Sequence, residues 1–140
     1  MEDVLKIGLL ADSKPDVFFD LKNGQGTFLY NHNIKEVNVT KDKDNIIVVT
    51  GKTKETSIMF QYDSIRIEYP KTRANIFATL LGAKYPPSIE SKLMNEYRSA
   101  ELGLLDDSYK TPYEEFLQDR LNLRASIKDD CETYNVPDNS

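Results

Sequence analysis

Tyr62-Asp63-Ser64-Ile65-Arg66-Ile67-Glu68-Tyr69-Pro70 alternates apolar and polar residues as a half-buried strand does, and Lys71 to Ala83 then repeats its apolar residues at helical spacing. The joint between these two stretches divides the chain into two grammars, with strands and turns before it and helices and loops after it. It predicts an α+β fold: an N-terminal antiparallel β-meander of five or six strands followed by three C-terminal α-helices. The helix past Pro70 is expected to cover the apolar side of the sheet. Residues 1–128 are therefore read as a single domain, β-rich over 1–69 and helical over 70–128, with 129–140 as a disordered tail.

Upstream of the joint, Val4 to Leu10 and Val17 to Leu21 are strand-like, and Asn23-Gly24-Gln25-Gly26 is the clearest hairpin signal because Asn and Gly tolerate positive φ. Thr27 to Tyr30 should return antiparallel, a polar break at Asn31-His32-Asn33 should follow, and Ile34 to Thr40 should form another strand. Lys41 to Asn45 reads as a charged turn. Ile46-Ile47-Val48-Val49-Thr50 is β-branched without alternation, which predicts a central strand covered on both faces; Gly51 to Glu55 should then turn the chain so that Thr56 to Gln61 pairs back.

Downstream, Thr72 opens the first helix, Ile76, Phe77, Leu80 and Leu81 share a face, and Gly82 is expected to end it. Tyr85-Pro86-Pro87 forces an extended connection. Ser88 is the expected N-cap of a second helix that stops at Gly103. Thr111-Pro112-Tyr113-Glu114 carries an N-cap hydroxyl, proline at N1 and glutamate at N3, the signature of a capping box.

The wheel of this third helix gathers Tyr113, Phe116, Leu117, Leu121, Leu123 and Ile127 into a broad apolar face, with Arg120 and Arg124 inside it. A buried unpaired charge is costly. Carboxylate partners are therefore expected among Glu90, Glu96, Glu101, Asp106 and Asp107. The other reading makes Arg120 and Arg124 a docking surface for an acidic partner, with Tyr69, Tyr85, Tyr109 and Tyr113 as candidate interface anchors.

Composition narrows the function. The chain has 140 residues, a formal net charge of −5 and 29% charged residues, so its averaged field repels phosphate backbones and anionic lipid. No apolar run approaches the roughly 18 residues of a membrane span, and the acidic start Met1-Glu2-Asp3 lacks the basic region of a signal peptide. Neither nucleic acid nor membrane is expected as a partner, and the location expected is the cytoplasm or a virion.

Chemistry finds no constellation. Thr50-Gly51-Lys52-Thr53 ends like a phosphate-binding loop, but Ile46 stands where the first glycine is needed. Asp42, Asp44 and Asn45 lack the glycine and closing glutamate of a calcium loop. Asn38-Val39-Thr40 matches a glycosylation acceptor only in spelling. His32 is the single histidine and is expected in an exposed turn, and the single Cys131 is expected to be exposed or lightly packed. No catalytic, metal or cofactor residue is predicted.

Lys84-Tyr85-Pro86, a helix with Ile89, Glu90 and Leu93, then Tyr113-Glu114-Glu115-Phe116 and Arg120 to Lys128 form a pattern that resembles the helical segment of small phage and prophage tail-region proteins. The resemblance implies a non-enzymatic structural or assembly protein acting through protein–protein contacts, with itself or with other virion components. The alternative is an intracellular module binding a small ligand or peptide on its sheet; a small hydrolase with an acidic site ranks below both.

Overall fold

The computed structural model describes residues 5–51 and 56–138. The chain divides at the predicted joint into two compact units, Met1–Tyr69 and Pro70–Ser140. The first is a five-stranded antiparallel sheet and the second carries three α-helices, so the α+β expectation holds.

In the first unit, β1 (Leu5–Ala11), β2 (Phe18–Asp20), β3 (Phe28–Lys41), β4 (Ile47–Thr50) and β5 (Ser57–Ile67) run in the spatial order β1-β5-β3-β2, with β4 also paired to β3. β5 is central, between β1 and β3. On its other edge β3 holds β2 at one end, through Phe18↔Tyr30, and β4 at the other, through Lys41↔Ile47. The first strand thus pairs with the last, so the strand order departs from a simple meander.

Cross-strand partners explain why the middle of this sheet is tight. Phe28 faces Ile67 and Tyr30 faces Ile65 across the β3–β5 ladder, the aromatic to β-branched pairing that stabilises sheets, and all four are buried. Phe18 stacks on Tyr30 with ring centroids 5.2 Å apart, and His32 stacks on the same ring at 4.8 Å. His32 is therefore buried, contrary to its expected place in an exposed turn.

The predicted break at Asn31-His32-Asn33 is instead a bulge inside one 14-residue strand. Between His32 and Lys35 the β3–β5 register gains a residue, and Asn33 takes a φ of 53°, which asparagine tolerates better than most residues. The Asn23–Gly26 turn forms as expected, with positive φ at Gly24 and Gly26. At Gly26 a side chain would also collide with Tyr69, whose Cδ2 lies 3.0 Å from where a Cβ would sit.

Ile46–Thr50 departs most from expectation. Among the described residues β4 is an edge strand paired with β3 alone, and β5 pairs with β3 and β1 rather than back onto β4. Part of the expected Gly51–Glu55 turn lies outside the described residues. The charged turn before β4 is an Asx turn in which the Asp42 carboxylate accepts from the amides of Asp44 (2.8 Å) and Ile46 (3.0 Å).

In the second unit, α1 (Arg73–Lys84) is capped by Thr72, whose hydroxyl accepts from the Asn75 amide at 3.2 Å. Ile76 and Leu80 are buried as its periodicity requires. Gly82 does not end it: the helix runs to Lys84 and stops before Pro86. α2 (Pro87–Glu101) starts two residues earlier than predicted, with Pro86 rather than Ser88 at the N-cap, Pro87 in the first turn and no side-chain cap. Gly103 does terminate it, at φ 77°.

α3 (Thr111–Thr133) begins without the predicted capping box. A 3-10 turn, Asp107–Lys110, feeds directly into it, and Asp106 supplies the cap by accepting from the Ser108 amide at 2.8 Å. α3 also outruns its expected end. The tail predicted to be disordered continues the helix to Thr133 and then folds back: Val136 donates its amide to the Cys131 carbonyl at 2.8 Å, and Val136 and Cys131 are both buried. The carbonyls of Pro137 and Asp138 accept from the first two amides of α1, Arg73 (2.7 Å) and Ala74 (2.9 Å). A helix with no acid in its first turn has its free donors satisfied by the far end of the chain.

Candidate docking surface

α3 buries Phe116, Leu123, Ile127 and Cys131, a narrower face than the wheel predicted. Leu117 and Leu121 lie outside it and are exposed, Leu121 by 57%. Arg120, Arg124 and Lys128 share that side of the helix by their three- and four-residue spacings, and Arg124 and Lys128 are exposed. The result is a stripe of two leucines and three cations, about 16 Å long at 1.5 Å per residue.

The carboxylate partners expected for the two arginines do not appear. Among the described residues, ion pairs join Arg66 to Glu68, Arg73 to Asp138, Lys84 to Asp119, Lys92 to Glu96 and Lys110 to Asp107, and none involves Arg120, Arg124 or Lys128. Arg120 instead sets its guanidinium 5.3 Å from the centroid of the Phe77 ring. That contact contributes about 0.5–2 kcal/mol and leaves the charge available. Arg124 needs no internal partner because it reaches solvent. The one acid within the span, Asp119, is held elsewhere, by Lys84 at 3.4 Å and by the Tyr85 hydroxyl at 2.8 Å.

The tyrosines predicted as anchors separate. Tyr85 and Tyr113 meet at Phe116, Tyr85 edge-on at 4.7 Å and Tyr113 stacked at 6.0 Å, and Tyr97 closes on Tyr113 at 5.2 Å. These rings are packing elements. Burial, and then the hydrogen bond and charge of Asp119, push the Tyr85 phenol up to about 12. Tyr109 is partly exposed in the 3-10 turn, and Tyr69, in the sheet unit, is largely exposed with one side of its ring against Gly26.

A second constellation lies in the sheet and escaped the sequence reading. β1 also has a bulge, between Lys6 and Leu9, where Gly8 takes φ 73°. The two bulges flank β5, and Asp63 holds both: one oxygen accepts from the Gly8 amide at 3.0 Å, the other from the Asn33 side chain at 2.8 Å. An open cleft of about 570 Å³ beside it is lined by Ile7, Asn33, Lys35, Gln61 and Asp63. Among the described residues no cluster of His, Cys, Asp and Glu is placed to hold a metal ion, and no helix is long and apolar enough to cross a membrane. Local spacing could not reveal Asp63, because its donors sit 30 and 55 residues away.

Compared with protein-family models, curated proteins and solved structures, the chain finds no match.

Proposed function

We propose that this protein is a non-enzymatic structural or assembly protein of phage or prophage type, working in the cytoplasm or within a virion by holding other proteins. The observation that carries the reading is the α3 stripe: Leu117, Arg120, Leu121, Arg124 and Lys128 offer apolar area and cations without ion-pair partners among the described residues, on a chain whose net charge is −5. Such a surface fits an amphipathic acidic segment, with its carboxylates over the guanidinium groups and its apolar residues on the leucines. Arginine's planar fork makes Arg120 and Arg124 the specifying residues.

The test is titration of a labelled amphipathic acidic peptide against the wild-type chain and against Arg120→Glu/Arg124→Glu. Binding that weakens with salt and falls at least about tenfold in the double variant, with unchanged circular dichroism, supports the reading. Equal binding by both proteins overturns it. Genes for capsid, portal or tail proteins beside this one support the phage setting, and a housekeeping operon counts against it.

The cleft beside Asp63 favours a second reading, a module for a small polar ligand or peptide. Both Asp63 oxygens are already engaged by the bulges, which leaves Lys35 and Gln61 to recognise anything bound there. Calorimetric titration of Lys35→Ala against wild type, with candidate polar ligands, tests it.

A further inference from the structure

We propose that the acidic segment received by the α3 stripe is the turn after α2 of a second copy of this chain, so that copies join head to tail. The inference rests on the stripe as a site for an amphipathic acidic segment and names its occupant. That turn, residues 101–107, is exposed at every position. Leu102 and Leu104 are 76% and 74% exposed, more than any other large apolar side chain among the described residues. Glu101 precedes them and Asp106 and Asp107 follow. Apolar clusters rimmed by charge in this way mark contact sites. The turn is also preformed: the Ser99 carbonyl accepts from the amides of Leu104 (2.9 Å) and Leu105 (3.3 Å), and Gly103 takes φ 77°. Leucines displayed on a fixed backbone lower the ordering cost of association.

Turn and stripe match in kind and oppose in sign. Each sets a pair of exposed leucines among charges, Leu102 and Leu104 in the turn and Leu117 and Leu121 on α3. The charges are three acids in the turn and three cations on the stripe. Asp107 does pair with Lys110 at 3.3 Å, but its side chain is 87% exposed, and such a pair is weak and readily exchanged. The turn's nearest cations in sequence, Arg98 and Lys110, number one fewer than its acids. All four leucines are exposed together, so the turn does not cover the stripe of its own chain. On a chain of net charge −5 most surface repels a second copy, and the cationic stripe is where that sign reverses. Because the two patches differ, the contact is heterologous and repeats into a ring or a filament.

Light scattering across a concentration series tests this with two variants, Arg120→Glu/Arg124→Glu for the stripe and Leu102→Ser/Leu104→Ser for the turn. Wild type should rise above 16.1 kDa with concentration, less so as salt is added. Each variant alone should associate at least about tenfold more weakly. Their mixture is decisive: stripe-altered copies still offer a turn and turn-altered copies still offer a stripe, so the mixture should form pairs and stop there. Wild type that remains at monomer mass up to roughly millimolar concentration overturns the proposal. So does association unchanged by either variant, or a mixture that pairs no better than its components. If wild type stays monomeric while a labelled acidic peptide still binds the stripe, this inference alone falls; if the peptide fails to bind as well, the reading beneath it falls too. Should either variant lose its fold, cross-linking decides. With oxidised glutathione, Leu104→Cys mixed with Leu121→Cys should link faster than either alone, and equal rates overturn the proposal.

Discussion

Asp63 accepts from the Gly8 amide with one oxygen and from the Asn33 side chain with the other, and each donor sits in a bulge where the ladder leaves an extra residue to be accommodated. Asp63→Ala removes both bonds at once and should lower stability by about 1–3 kcal/mol in urea unfolding. A loss within a few tenths of a kcal/mol would mean that the bulges hold themselves. Tyr85 makes a prediction in pH. Its folded pKa, about 12, stands above the ordinary value of 10.0, so the folded state favours the neutral phenol. The stabilisation is fully present below pH 10 and is lost as pH rises toward 12. Phenolate absorbance should show a late-titrating component that is lost in Tyr85→Phe. Between pH 9 and roughly pH 11.5 that variant's urea midpoint should fall less than wild type's.

The segment after α3 acts as an element although it forms neither helix nor strand. Pro137 and Asp138 cap α1 through backbone carbonyls, Asp138 pairs with Arg73 at 2.7 Å, and Val136 lies buried near Cys131. Because the Asp138 carboxylate is largely exposed, the ion pair itself contributes little; the backbone caps and the Val136 side chain matter more. Truncation after Asn135 should destabilise the protein by about 2–4 kcal/mol and raise the reactivity of Cys131 toward a thiol reagent at least about tenfold. Asp138→Ala alone should change that reactivity by less than about threefold. An unreactive Cys131 after truncation would show that the strap does not guard it. What the sequence made legible follows from this contrast. The Asn23–Gly26 turn, the Thr72 cap and the Gly103 stop depend on a residue's own φ preference or on a neighbour three positions away. The bulge at Asn33, the edge position of β4 and the strap depend on partners tens of residues distant, so spacing carried no sign of them. The α3 stripe lay between these cases: the wheel placed Arg120 and Arg124 correctly beside Leu117 and Leu121, but the width of the buried face was set by packing that the wheel does not contain.

At the scale of the molecule, the sequence expectation of a single domain and the division into two compact units at Tyr69 make different demands on unfolding. Each unit has about 70 residues, a size at which one apolar core rarely supplies more than about 3–5 kcal/mol. Neither holds a disulfide, since the single cysteine is unpaired, and no metal cluster occurs among the described residues to supply the missing staple. Under the single-domain expectation the whole chain should unfold in one cooperative transition, with far-ultraviolet dichroism and tyrosine fluorescence superimposing along a urea series. The separate fragments 1–69 and 70–140 should then each unfold at markedly lower denaturant. Limited proteolysis gives the sharper comparison, because it reports local opening without requiring global unfolding. Under the one-transition expectation, cleavage near Pro70 should be slow and should leave no long-lived fragment. A protease-resistant piece ending near Pro70, or two separated transitions, would show instead that the change of grammar at Tyr69-Pro70 is a boundary between independent domains.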